Sequence, residues 1–247
     1  MRELPKGTKQ RVIYQLRAAG IRGDTPNSQR SGTHYRGYLP HVKKEGTSYF
    51  VTFRLGDSLP QAVLRKLQFE RDERLGRLQT GGTADCKSAL QLRQDVERDY
   101  RREIERFLDK GVGNCWMKRP EIAEIVANAL RFFDGQRYVL GSWVVMPNHV
   151  HAVIWPMPNF LLGDILRSLK RYAAREANKI LDRTGEKFWQ PESFDHWIRD
   201  DEEKARIVRY IENNPVKAGL CKTASDWKWC SVSGGKKGRL QTGDTAD

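Results

Sequence analysis

With 247 residues, 38% of them apolar and 30% charged, the chain can form one domain with extensions, or at most two, around a core of useful size. A mean hydropathy of −0.70 and the lack of any apolar run of bilayer length argue against a membrane-spanning helix, and four cysteines with no C-x-x-C pair argue against a disulfide scaffold. Lys and Arg number 44 against 31 Asp and Glu, a net charge of +13, which points to a polyanionic partner, nucleic acid before a membrane surface.

The first thirty or so residues read as a loosely ordered extension, with a turn-rich stretch at Arg22-Gly23-Asp24-Thr25-Pro26. No secretory signal is legible, because the apolar Val12-Ile13-Tyr14 is soon interrupted by Gln15 and Arg17. A cytoplasmic protein with reduced thiols is therefore expected. Tyr49-Phe50-Val51-Thr52-Phe53-Arg54-Leu55 is aromatic and β-branched and predicts a strand. Charged helical patterns over 62–77 and 90–108 predict a helical hairpin within about 60–110. Between them, Gly76-Arg77-Leu78-Gln79-Thr80-Gly81-Gly82-Thr83-Ala84-Asp85 is nearly repeated at the end as Gly238-Arg239-Leu240-Gln241-Thr242-Gly243-Asp244-Thr245-Ala246-Asp247. Both copies are expected to be exposed loop or tail.

A helix is predicted over 120–133, then strands over 137–145 and 149–155 joined by the turn at Pro147-Asn148. A helix over 161–181 follows, then a short strand at 194–198. A last helix over 202–212 is expected to stop at Asn213-Asn214-Pro215, since the residue before proline is driven out of helical conformation. Interleaved strands and helices predict an α+β domain around a central antiparallel sheet with flanking helices.

His149 and His151 stand two apart on a predicted strand, so their imidazoles share a face and could hold one metal ion. On the helix after them, Tyr172 and Glu176 are neighbours one turn apart, on the edge of a stripe formed by Leu162, Ile165, Leu166, Leu169, Ala173, Ala177 and Ile180. A metal plus a tyrosine is the minimal equipment for cutting a DNA strand through a covalent phosphotyrosine. Glu176 reads equally as a third metal ligand or as the ion-pair partner of Arg175 or Lys179. Imidazole with carboxylate suits Mn²⁺ or Zn²⁺, and substrate phosphate oxygens bring Mg²⁺ into range. Tyr35, Arg36, Tyr38, His41 and Arg54, with Arg175 and Lys179, mix aromatic and cationic groups suited to unpaired bases and phosphates. The tryptophans are expected mostly to pack.

Met146-Pro147-Asn148-His149-Val150-His151 resembles the His-hydrophobic-His motif of HUH single-strand nucleases. Tyr35-Arg36-Gly37-Tyr38-Leu39-Pro40-His41, Phe188-Trp189-Gln190, Phe194-Asp195-His196 and Tyr210-Ile211-Glu212-Asn213-Asn214-Pro215-Val216-Lys217-Ala218-Gly219-Leu220 are similar to segments of the REP-associated tyrosine transposases, within the single-tyrosine HUH superfamily. The resemblance covers 34–232, leaving 1–33 as an N-terminal extension and 233–247 as a tail. It implies an RNA-recognition-like core, metal-binding His149 and His151, Tyr172 as nucleophile, and Glu176 where relatives often place an amide ligand. It also implies Mg²⁺ or Mn²⁺ as cofactor, and nicking and strand transfer on single-stranded, hairpin-forming palindromic DNA through a 5′-phosphotyrosine. A monomer is expected, with a homodimer as the alternative. The competing readings are a non-catalytic module that binds structured DNA or RNA, and a metal-dependent phosphodiesterase that activates water.

Overall fold

The computed structural model describes residues 32–36, 39–43, 46–80 and 86–233, with side chains from 46 onward apart from 78–80, 86–90 and 94. Residues 1–31 of the expected N-terminal extension and the second copy of the repeated string lie outside the described residues, whereas Gly32 and Thr33, expected in that extension, open a strand. The first copy begins as helix, not loop: Gly76 to Thr80 continue the preceding helix, with Gly76 and Arg77 exposed.

Strands β1 (Gly32–Arg36) and β2 (Leu39–Lys43) form a separate antiparallel pair. The central sheet holds β3 (Tyr49–Arg54), β4 (Tyr138–Val145), β5 (His149–Pro156) and β6 (Phe194–Trp197) in the order β4-β5-β3-β6, every pairing antiparallel. Helices are α1 (Gln61–Thr80), α2 (Cys86–Asp109), α3 (Pro120–Phe132), α4 (Leu162–Ile180) and α5 (Asp201–Lys217). This is the α+β architecture that the alternating patterns predict.

Strand alternation divides the sheet into two unlike faces. On one, Val51, Phe53, Val145, Val150, Ala152 and Ile154 pack with Ile122, Val126 and Leu130 of α3 and Ile165, Leu169, Ala173 and Ala177 of α4. This is the main core, and it contains no histidine. On the other, Phe50, Val144, Met146 and Val153 pack with Ile211 of α5, Ile198 and Cys230. A third cluster of Leu59, Leu67, Tyr100 and Leu108 closes the α1–α2 hairpin.

The end of α5 departs from expectation. Pro215 lies inside the helix, which runs on to Lys217. Proline removes one backbone donor and strains the preceding turn. Here Ile211, Asn214 and Pro215 are buried against the sheet, and that packing holds the extra turn in place. The helix then closes with Ala218 N donating to Asn214 O and Gly219 at φ 69°. Its start is ordinary: Asp200 Oδ1 accepts from Glu203 N at 2.7 Å.

Candidate active site

Strand β5 carries both histidines on the α5 face, as their spacing requires. His149 and His151 are 1% and 0% exposed, with ring centroids 4.6 Å apart. Each imidazole is anchored at Nδ1. His149 Nδ1 meets Asn148 Oδ1 at 2.7 Å. The Asn148 amide nitrogen is engaged with Leu108 O and Val112 O, at 3.2 and 3.0 Å, so its oxygen must face the imidazole. His149 therefore carries its hydrogen on Nδ1 and turns a lone pair outward at Nε2. His151 Nδ1 meets Thr52 Oγ1 at 2.8 Å, a hydroxyl that can accept or donate as the ring requires. Phe50 stacks on His151 with centroids 5.5 Å apart.

What faces these rings comes from α5, not α4. Tyr210 Oη lies 3.3 Å from His151 Nε2. One turn on, Asn214 is 1% exposed and close to both His149 and Tyr210. Neither its Oδ1 nor its Nδ2 completes a hydrogen bond among the described residues, and His149 Nε2 is likewise unpartnered. Buried polar atoms are nearly always paired, so three orphans around one point mark a site built for something else. Two imidazole nitrogens and an amide oxygen, with second partners already holding the rings, form a donor set that fits a divalent metal. Among the described residues, no group of three or more His, Cys, Asp or Glu side chains could hold one. The Asn214 amide oxygen is the candidate third donor.

Helix α2 closes the site from the hairpin. The Glu105 carboxylate comes close enough to Tyr210 for its charge to act on the phenol, and Asp109 Oδ2 pairs with Lys217 Nζ at 2.6 Å. Burial pushes the Tyr210 phenol far above its ordinary range, and the Glu105 and Asp109 carboxylates add to the rise. Burial holds both imidazoles neutral: His149 is lowered to about 3, with the Lys217 charge also opposing protonation, and His151 falls well below its usual value. Neutral imidazoles are the metal-binding form.

Tyr172 and Glu176 are not in this group. Helix α4 packs through Leu169, Ala173 and Ala177 on the opposite face, so the sheet separates Tyr172 from the imidazoles. Tyr172 is 48% exposed, with Arg175 5.9 Å from its ring centroid. Glu176 is an ion-pair residue. Lys179 and Arg175 hydrogen-bond it at 3.0 and 2.8 Å and hold its carboxyl below the usual range. Arg175 and Lys179 are thus engaged with Glu176. Arg54 is paired in register with His149, which places it on the site face, half-buried and donating to Ser58 Oγ at 3.2 Å. Tyr35, Arg36 and His41 lie on β1 and β2 with no described side chains, and Tyr38 lies outside the described residues. Trp189, Trp227 and Trp229 are packing residues whose indoles donate to Lys170 O, Val145 O and Glu124 Oε2.

Sequence spacing could not choose between the two pairs. Tyr172/Glu176 and Tyr210/Asn214 both stand one helical turn apart. The family-like string from Tyr210 to Leu220 was the available signal for the second pair.

Residues 118–214 match the family model described as transposase IS200 like, a span that includes His149, His151, Tyr210 and Asn214. A REP-associated tyrosine transposase of Escherichia coli (strain K12) is 36% identical over 92 residues, covering 36% of this chain and 52% of the relative. A Haemophilus influenzae protein named for the same class is 30% identical over 97 residues, 35% of this chain and 54% of its own. A solved structure of a REP-associated tyrosine transposase bound to a REP hairpin aligns over 81% of both chains, with 18% identity and a TM-score of 0.41. The chain spans about half the length of these two curated relatives. Over residues 118–214 the sequence matches the family model described as transposase IS200 like, and part of the chain is similar to REP-associated tyrosine transposases.

Proposed function

We propose that this chain nicks and rejoins single-stranded, hairpin-forming DNA through a covalent bond to Tyr210, with a divalent metal held by His149, His151 and Asn214. The observation that carries the reading is the phenol oxygen 3.3 Å from His151 Nε2, beside the unpartnered His149 Nε2 and Asn214 side-chain amide. When bound there, Mg²⁺ or Mn²⁺ would polarise the scissile phosphate and offset transition-state charge; the two nitrogen donors favour Mn²⁺.

The protein's own groups do the rest. Asn148 and Thr52 hold the imidazoles at Nδ1, so each Nε2 is turned away from those anchors without a search among rotamers. Tyr210 attacks phosphorus; a bond forms from Oη to P while the bond to the departing 3′ oxygen breaks. The phosphate ends on the phenol as a 5′-phosphotyrosine, and a free 3′-OH can later reverse the step without ATP. Lys217 and Arg54 supply positive charge close to the imidazoles. Both imidazoles are sealed in this fold, so a phosphate enters only when the layer over them yields.

The test uses labelled single-stranded hairpin DNA with Mn²⁺. A denaturant-resistant protein–DNA adduct is expected in the natural protein and in Tyr172→Phe, and none in Tyr210→Phe. Binding without cleavage would point instead to a non-catalytic module. Cleavage that survives Tyr210→Phe would point to a water-using phosphodiesterase.

A further inference from the structure

Both imidazoles and Asn214 are sealed from solvent, so a scissile phosphate reaches them only after one covering element withdraws. Helix α5 cannot be that element: it carries Tyr210 and Asn214, and fully buried Ile211 packs it into the sheet. The other cover is the C-terminal end of α2. Resting on the reading above, we propose that the α1–α2 hairpin is an autoinhibitory cover, in which Asp109 occupies on Lys217 the seat of a DNA phosphate until the incoming strand displaces it.

The contact has the chemistry of such a seat. Lys217 follows Asn214 by three residues on α5, and its Nζ is held by Asp109 Oδ2 at 2.6 Å. A phosphodiester offers the same two features, negative charge and oxygen acceptors, to the same ammonium. Strand and carboxylate therefore exclude one another. The carboxylate is also poorly kept where it is. Asp109 Oδ1 is buried without a hydrogen-bond partner among the described residues, a costly state for a polar atom. Glu105 stands one turn before it on the same helix, and like charges at that spacing repel. Withdrawal relieves both costs, because each carboxylate then meets water.

The hairpin is built to move as one piece. Leu67, Tyr100 and Leu108 pack with Leu59 in a cluster separate from the two that hold the sheet. Its roots are pinned together, with Asp57 Oδ2 accepting from Asn114 N at 2.8 Å, which sets a fixed base beneath a self-supporting arm. Above that base the arm meets the body through Lys217 and Asp109, through Asn148 Nδ2 donating to Leu108 O at 3.2 Å, and through Arg101 lying 4.9 Å from the Phe194 ring centroid. Asn148 keeps a second acceptor nearer the base, Val112 O at 3.0 Å, so His149 stays oriented when Leu108 withdraws. The hairpin lies outside residues 118–214, and the matching family model assigns it no role.

The experiment follows amide hydrogen exchange of the full chain with and without single-stranded hairpin DNA in Mn²⁺. It also measures DNA affinity across salt for the natural protein, Asp109→Asn and the Asp109→Asn/Lys217→Gln double variant. With DNA bound, the amides of residues 101–109 are expected to exchange at least about tenfold faster. Asp109→Asn should bind DNA about fivefold more tightly, since no carboxylate competes for the ammonium. Adding Lys217→Gln should erase that gain and lower the slope of log affinity against log salt by about 0.7, the share of one phosphate. Unchanged or slower exchange of residues 101–109 with DNA bound overturns the cover, and so does an Asp109→Asn affinity no higher than the natural one. An ion pair that only fastens the fold would lower the unfolding midpoint of Asp109→Asn and leave affinity and salt slope unmoved, which also overturns it. The reading on which this rests fails separately: no adduct from the natural protein, although DNA binds and residues 101–109 open, would overturn Tyr210 and leave the cover in place.

Discussion

Replacing Asn214 by Leu should make the metal-free protein more stable. The amide is 1% exposed, and neither its oxygen nor its nitrogen completes a hydrogen bond among the described residues. An unsatisfied buried polar group costs about 1–3 kcal/mol. Leu keeps the same branching at Cγ and brings no polar atoms. Some of the gain is returned to its slightly greater bulk, where overpacking costs about 1 kcal/mol at the low end. A net increase of about 1 kcal/mol follows from these terms. With a urea slope of about 2 kcal/mol/M, the midpoint should rise by about 0.5 M in chelator. Added Mn²⁺ should reverse the ranking. At 100 times its dissociation constant it would stabilise the natural protein by about 2.7 kcal/mol, and Asn214→Leu by much less. The assay is equilibrium urea unfolding of both proteins, with and without metal. An Asn214→Leu midpoint below that of the natural protein in chelator, at unchanged slope, would refute the orphan-amide argument. Equal stabilisation of both by Mn²⁺ would refute the amide as a ligand.

Acid should destabilise the metal-free protein through the imidazoles. Folding lowers His149 to about 3, against about 6.5 in an unfolded chain, so the unfolded state takes up the proton first. The stability is fully present above about pH 6.5 and is lost toward pH 3, by up to about 1.4 kcal/mol per pH unit for His149. His151 adds in the same direction. His149→Gln should flatten the slope of urea midpoint against pH between 4 and 7, and superimposable curves would count against the buried neutral ring. Gly113→Ala should be strongly destabilising: its φ is +90°, and an added Cβ would sit 2.6 Å from Asp57 O. A loss of about 3 kcal/mol corresponds to a Tm drop of about 9 °C in a protein of this size. A drop under 2 °C would show that the loop simply relaxes.

The elements and the His149/His151 pair were legible in the sequence because their signals are local. Period-2 alternation put the two imidazoles on one face, and the strand does so. The phenol was not legible, because which face of the sheet a helix covers is a long-range property. Tyr172 follows the histidines by only two dozen residues and sits on a strongly amphipathic helix, yet that helix covers Val150 and Ala152, the strand neighbours that point away from the imidazoles. Tyr210 reaches them from α5, some sixty residues along. Pro215 disguised its partner: a proline one residue after Asn214 argues locally for a stop, and only packing against the sheet shows that the helix continues.

Within the described residues, a single polypeptide furnishes the imidazoles from β5 and the phenol and amide from α5. On the proposed reading the adduct formed per chain should stay constant on dilution, and a yield that falls as the protein is diluted would point to a group supplied by a second copy.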